Sequence, residues 1–332
     1  MIDNSSLLCK SSNETFDDFF VRLFEHKDEY KLTCQDIADI LNRQCGEEYG
    51  ESKWRKEYAA FRRGMRYASE HRCSNGVCTR ILCISDTHVP FNLPIETYSD
   101  YVGQCDILIL NGDITDCQAI SKFPKTYRVS PMRELIEARQ YLIDLIKYIS
   151  PKKVIVNYGN HDIRFQQYMA KNLDTDILEL MPSTALELIV VDGFHHYDKE
   201  NGLKSFYSPI KDLFGDIEIE YTNSWFCQVG QAIFCHPLAF SSSIMKTSDK
   251  AVQFFRNEGY SFSTLVMAHT HRIGSYRQGN TMMYEQGCCC DTKKQHYADG
   301  RLTPSQKEGF LYLCEDKDGR EIQSFTRIVC LN

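Results

Sequence analysis

Five short polar clusters hold most of the residues able to do chemistry in this 332-residue chain. They are Asp86-Thr87-His88, Gly112-Asp113-Ile114-Thr115-Asp116, Gly159-Asn160-His161-Asp162, Cys235-His236 and His269-Thr270-His271. Carboxylate oxygen mixed with imidazole nitrogen suits Mn, Fe or Zn better than Ca or Mg. In an extended segment alternate side chains lie on one side, so Asp86 with His88, and His269 with His271, can each grip one centre. A single Gly-Asp behind a strand is commonly just a turn, and a lone His-x-His an ordinary polar rim. All five in order, each behind an apolar run, is a pattern that isolated turns do not produce.

The runs in front of these clusters are Ile81–Ile84, Ile107–Leu110, Val154–Val156, Trp225–Phe234 and Leu265–Met267, and Leu188–Val191 is a further one. Each reads as a short buried strand, and helical stretches alternate with them, which describes an α/β fold. Carboxyl ends of strands are where such folds gather ligands from separated segments. Ser130-Pro131 opens the clearest helix, whose apolar stripe runs through Leu135, Leu142 and Ile146. Phe310–Cys314 and Ile322–Ile328 around Asp318-Gly319 predict a terminal hairpin.

Residues 1–75 read as a separate helical unit and 76–332 as the α/β domain. Thr33 and Asp36 form a capping-box pattern, and Ile37, Ala38, Ile40 and Leu41 supply an apolar face. The string Asp36–Asn42 resembles the first helix of a helix-turn-helix, although the connection at 45–51 is long for that motif. Ser52 is expected to cap a longer helix with Trp54, Tyr58, Phe61, Met65 and Ala68 on one stripe. Arg55, Lys56, Arg62, Arg63 and Arg66 share a separate arc. From Ser52 to Arg72 seven basic residues stand against two acidic ones, in a chain of formal net charge -7. Any affinity for nucleic acid must therefore be local.

Composition excludes other classes. With 42% hydrophobic and 12% aromatic residues the chain can bury a core. No apolar run reaches bilayer length, and the first residues lack a secretory pattern, so neither a membrane span nor a leader is expected. Fifteen cysteines, three adjacent at Cys288-Cys289-Cys290, point to a reducing cytoplasm. The triplet is expected on a strand near the site, with no catalytic role, and His195-His196 in a loop or rim, residues 193–201.

The complete set of clusters resembles the signature of the calcineurin-like metallophosphoesterases, over roughly residues 79–330. Ala268 departs from it, standing where the family usually has Gly. The resemblance implies a four-layer αββα sandwich behind the small all-helical domain, with two divalent metal ions, Mn before Fe or Zn. By motif position one ion would take Asp86, His88, Asp113 and His271. The other would take Asp113, Asn160, His236 and His269, with Asp113 bridging. His161, oriented by Asp116, would face the scissile phosphate and assist the leaving group. Two such ions clamp phosphate oxygens and activate a water between them for in-line attack.

The stretch from Asp116 to Gly159 is longer than the family's commonest spacing. Its insertion, residues 119–133, carries Lys122, Lys125 and Arg128 among aromatics, a composition suited to a nucleic-acid backbone. A helix-turn-helix-like element fused to such a domain resembles phage and prophage proteins. The expectation is a phosphodiesterase or nuclease acting on DNA or RNA, gripped by the basic helical face. The alternative is a phosphomonoesterase or small-nucleotide hydrolase whose helical unit makes a subunit contact, as in a homodimer.

Overall fold

In the computed structural model the described residues are 8–11, 14–70, 76–121, 129–199, 201–294 and 306–331, with residues 65–70 described by backbone alone. Lys122, Lys125 and Arg128 therefore lie outside the described residues, as does the side chain of Arg66. The chain divides into two compact units, Met1–Asn75 and Gly76–Asn332.

Among the described residues the first unit has three helices, α1 (Phe16–Glu25), α2 (Cys34–Cys45) and α3 (Glu51–Glu70). Thr15 and Thr33 each close a capping box, with Asp18 and Asp36 as reciprocal partners, which satisfies the first amides of α1 and α2. Phe19 and Leu23, Ile37 and Leu41, and Trp54 form one core from all three helices. Asn42 ties the connection down. Its side chain accepts from the Trp54 indole at 3.0 Å and the Tyr49 amide at 3.2 Å, and donates to the Tyr49 carbonyl at 2.7 Å. Helix α3 begins at Glu51, one residue before the expected cap, because the Gly50 carbonyl already accepts from the Lys53 amide. Its apolar stripe is buried at Trp54, but Phe61 is 38% exposed, since the shared core ends near Tyr58.

The second unit places six strands in one sheet. They are β1 (Thr79–Ile84), β2 (Ile107–Asn111), β3 (Lys153–Asn157), β6 (Glu218–Tyr221), β12 (Gly309–Glu315) and β13 (Arg327–Cys330), in the order β13-β12-β1-β2-β3-β6. A second sheet has the order β10-β11-β9-β8-β7, from β7 (Phe226–Val229), β8 (Ala232–Cys235), β9 (Thr264–Met267), β10 (Ile273–Gln278) and β11 (Thr281–Gln286). Strands β1, β2, β3 and β6 run parallel, as do β8, β9 and β11.

Period-two alternation explains the layers. Ile81, Cys83, Ile109 and Ile155 face inward and meet Phe234 and Val266 of the second sheet. Their neighbours Leu82, Ile84, Leu108 and Val154 face outward onto Leu135, Leu142 and Ile146 of α4 (Pro131–Ile149). Behind the second sheet, Ile233, Leu265 and Met283 pack on Val252 and Phe255 of the long helix Lys246–Asn257. The result is the four-layer αββα sandwich. Strands buried on both faces must be apolar throughout, which is why the runs were continuous.

Three short helices, α5 (Arg164–Asn172), α6 (Thr175–Leu178) and α7 (Ala185–Glu187), follow β3, and the long helix behind the second sheet is α8. Leu188–Val191 is not a strand. Residues Leu188–Asp192 continue α7 as a wider π turn that buries Ile189 and Val190, because a short apolar run serves a buried helical turn equally well. His195-His196 lie on a hairpin, β4 (Phe194–Asp198) with β5 (Leu203–Tyr207), rather than in a loop. Trp225–Phe234 splits into β7 and β8 around Gly230, which takes φ 53°. The terminal hairpin forms, but its second strand starts only at Arg327. Cys288–Cys290 are not on a regular strand. They lie in a bridging segment past β11, and all three are fully buried.

Candidate metal centre

Each cluster follows the carboxyl end of a strand: Asp86 after β1, Asp113 after β2, Asn160 after β3, His236 after β8, and His269 and His271 after β9. The strands deliver these side chains to one place, and the backbone there is unusual. Asp86, His88, Asp113, His269 and His271 all take positive φ, between 45° and 71°. Left-handed backbone is costly for residues with a Cβ and is concentrated at functional sites. Gly112 stands where it must. It takes φ 82°, and a Cβ there would lie 2.6 Å from His236 Nδ1.

Asp86, His88 and His271 offer donor atoms within 4.8 Å of one another, and so do Asp113, His236 and His269. The two groups meet at Asp113. Its Oδ2 lies 3.3 Å from His236 Nε2, 3.7 Å from His88 Nε2 and 3.8 Å from His161 Nε2. Its Oδ1 is occupied by the His161 amide at 2.7 Å, which fixes Oδ2 toward the imidazoles. Asp86 is set similarly. Oδ2 accepts from Ser85 Oγ at 2.6 Å and the His269 amide at 3.2 Å, and Oδ1 faces His271 Nε2 at 3.1 Å.

The ring nitrogens test whether this set suits a cation. His236 Nδ1 donates to the Asn111 carbonyl at 2.9 Å, so its Nε2 lone pair faces Asp113 Oδ2 and, at 3.2 Å, Asn160 Oδ1. His88 Nδ1 donates to Asp116 Oδ1 at 3.2 Å, which turns its Nε2 toward His271 Nε2 at 3.2 Å. Lone pairs converging on acceptors are repulsive unless positive charge sits between them, and outer partners fixing the tautomer are the usual support of imidazole ligands. His269 Nε2 is buried and finds no hydrogen-bond partner among the described residues. Burial alone would lower His236, but Asp113 and Asp86 outweigh it and lift the imidazole to about 9, so these carboxylates draw positive charge to Nε2, a proton or a metal ion in its place. Against the same burial, His236 and His271 hold Asp86 down at about 2. The donor set fits divalent ions.

His161 completes the arrangement. Its Nδ1 lies 2.9 Å from Asp116 Oδ1, and a carboxylate only accepts, so the proton is on Nδ1. Burial raises Asp116, but hydrogen bonds from His161 and His88 outweigh it and hold the carboxyl far below the usual range. One carboxylate thus orients a candidate ligand and the candidate leaving-group residue together.

Comparison with known proteins agrees with this geometry. Residues 79–272, more than half of the chain, match the model of the calcineurin-like phosphoesterase domain. The chain belongs to the calcineurin-like phosphoesterases. It is accordingly a hydrolase of phosphoric esters, a chemistry this family runs with divalent metal ions. Residues 4–73 match the model of the YonJ N-terminal domain. A 61-residue stretch is 33% identical to the SPbeta prophage-derived uncharacterized protein YonJ of Bacillus subtilis strain 168. That stretch is 18% of this chain and spans only 15% of YonJ. Similar solved structures include a novel archaeal phosphodiesterase, at 14% identity and TM-score 0.36, covering 76% of this chain and 100% of that one. Vacuolar protein sorting 29 from Cryptosporidium parvum matches at 14% and 0.36, over 77% and 99%. A metallophosphoesterase from Sphaerobacter thermophilus matches at 12% and 0.33, over 76% and 89%.

Three features of this calcineurin-like centre go beyond the roles the sequence assigned. Asp162, fully buried, accepts from the amides of Asp113 at 2.8 Å, Thr115 at 3.0 Å and Gly159 at 2.9 Å, and so clamps two clusters together. Arg164, at the start of α5, donates to His161 Nε2 and to the Asp116 carbonyl, both at 2.9 Å. Cys288 and Cys290 have their sulfurs within 4.8 Å of a ring nitrogen of His271. Arg164 had a signal to follow, its spacing of one helical turn from His161, and the cysteine triplet was already expected near the site.

Proposed function

We propose that this hydrolase is a binuclear, Mn-using phosphodiesterase acting on nucleic acid. The observation that carries the proposal is the meeting of two Asp/His donor groups at one carboxylate, Asp113. In this reading Asp86, His88, Asp113 and His271 hold one ion, and Asp113, Asn160, His236 and His269 hold the other. Two divalent ions seated there supply Lewis acidity toward the phosphate oxygens and toward water.

The chain's own groups do the rest. Asp116 holds the His161 ring by Nδ1 and thereby aims Nε2 into the centre, 3.8 Å from Asp113 Oδ2. With its outer nitrogen fixed, Nε2 is the atom that would pass a proton to a departing alkoxide once the Arg164 N–H has left it. The buried donors around Asp113 exclude bulk water, so charge that develops on the phosphoryl group meets preset dipoles.

Support for nucleic acid comes from α3. Arg55 and Arg62 are exposed at 60% and 59%, and their contacts to Glu51 at 3.8 Å and Glu25 at 3.6 Å are surface pairs. Such pairs are weak and yield readily to a phosphate backbone. Mn-reconstituted protein should be assayed side by side on an aryl phosphodiester, an aryl phosphomonoester, and single- and double-stranded DNA. Cleavage of the diester and of DNA ahead of the monoester is expected. Preference for the monoester, with DNA intact, would overturn the proposal in favour of a phosphomonoesterase.

A further inference from the structure

Arg164 is a half-buried guanidinium that no carboxylate pairs with among the described residues. Its two partners, the Asp116 carbonyl and His161 Nε2, are both neutral acceptors at 2.9 Å. A guanidinium has five N–H donors, so two are engaged, and no carboxylate among the described residues lies within ion-pair distance of its charge. Burying such a charge is costly unless an anion arrives to meet it. The side chain is also held still. It starts α5, and its two hydrogen bonds fix the fork against the very residue expected to face the scissile phosphate.

We propose that Arg164 is a substrate-binding residue that donates to the non-bridging oxygens of the phosphoryl group, on the His161 side of the centre. The planar fork matches two phosphate oxygens at once, which a lysine ammonium cannot do. The neighbouring charges agree with this placement. The carboxylates of Asp86, Asp113 and Asp116 are turned onto the imidazoles, so Arg164 is left to meet the negative charge of the substrate rather than that of the protein. The hydrogen bond to His161 Nε2 then gains a second meaning. It stores the fork beside the site, and an arriving phosphate oxygen is a stronger acceptor for those N–H groups than a neutral ring nitrogen. The ligand class is a phosphate monoanion or diester, and specificity for bases is not involved.

This inference rests on the phosphoesterase reading of the site, and its test is chosen to be separable from turnover. Inorganic phosphate is titrated calorimetrically into full-length, Mn-loaded wild type, Arg164→Lys and Arg164→Ala, with metal content measured on the same samples. The expected result is unchanged metal content and phosphate affinity weakened about ten- to a hundredfold in Arg164→Ala, the loss of a charge-assisted bond. Arg164→Lys should fall between the two, because it keeps the charge and loses the fork. Free guanidinium added to Arg164→Ala should restore part of the phosphate affinity, which a merely structural role would not allow. Phosphate affinity within twofold of wild type in Arg164→Ala would overturn the proposal, as would a loss that simply tracks lost metal. Because phosphate binding needs no turnover, a wild type inert on every ester would count against the activity and leave this result standing.

Discussion

Adding one methyl group at Gly159 tests how tightly the centre is assembled. A Cβ at that position would sit 2.5 Å from the Asp113 amide nitrogen and 2.8 Å from its Cγ, with Oδ1 nearer still. Ordinary carbon contacts lie at about 3.5–4.0 Å, so Asp113 or Gly159 must move by roughly 1 Å. The Asp113 backbone cannot yield freely, because its amide is bound at 2.8 Å to Asp162, which also holds the Gly159 amide at 2.9 Å. Gly159→Ala should therefore overpack the site at a cost of about 1–3 kcal/mol, lowering the melting temperature by roughly 2–12 °C. Displacing a shared ligand by about 1 Å should also reduce turnover by about a hundredfold. The control is Gly215→Ala, where a Cβ meets nothing within 4 Å. Both variants are melted with and without Mn and assayed on an aryl phosphodiester. If Gly159→Ala melts with the control and keeps activity within about threefold, the close approach described for Asp113 is wrong.

Other perturbations separate the remaining contributions. His161→Ala should keep its metal and fold but lose about 10²–10⁴ in turnover, less for substrates with good leaving groups; an equal loss across leaving groups would argue for a binding role. Asp106 accepts from Arg80 Nε and pairs with Lys152 Nζ, both at 2.9 Å, and these partners outweigh burial to hold its carboxyl at about 2. Its folded value is depressed, so the stabilisation is present above about pH 4 and lost as pH falls toward 2. Asp106→Asn should cost about 2 kcal/mol at pH 7, and urea unfolding should show the gap from wild type narrowing between about pH 4 and 2. A gap independent of pH would refute that assignment. Reversing charge at Arg55 and Arg63 should leave aryl-diester hydrolysis intact while flattening the salt dependence of DNA affinity by roughly 0.9 per lost phosphate contact. An unchanged slope would favour a subunit-contact role for the helical unit.

The site was more legible in the sequence than the scaffold that strains it. Asp86, Asp113, Asn160, His236 and His269 could be placed because each follows a strand buried on both faces, and such strands show as unbroken apolar runs. The sheet order could not be read, since β12 inserts between β1 and β13 through pairing with no local signature. The left-handed backbone at Asp86, His88 and Asp113 was likewise invisible, because Asp and His carry no mark of it in their spacing. Leu188–Val191 misled because burial, not alternation, is all that a four-residue run reports. The β4–β5 hairpin was missed because Tyr197 and Phe206 are more than half exposed and only Phe194 is buried, too little apolar alternation to reveal it. Cys288–Cys290 were expected near the site, but their approach to His271 could not be read, because their neighbours arrive from the His271 segment and from Lys307, whose carbonyl accepts from Cys288 Sγ at 3.3 Å.

The account turns on a pair of divalent ions sharing Asp113, and metal stoichiometry set against turnover tests that most directly. Stringently chelated protein should be titrated with Mn while metal content and aryl-phosphodiester hydrolysis are followed together, for wild type and Asp113→Asn. Activity is expected to be absent without metal and to reach its plateau at about two ions per chain, with Asp113→Asn weakening both ions at once. Full turnover in metal-free protein, or an Asp113→Asn protein that keeps both ions and its activity, would contradict the account.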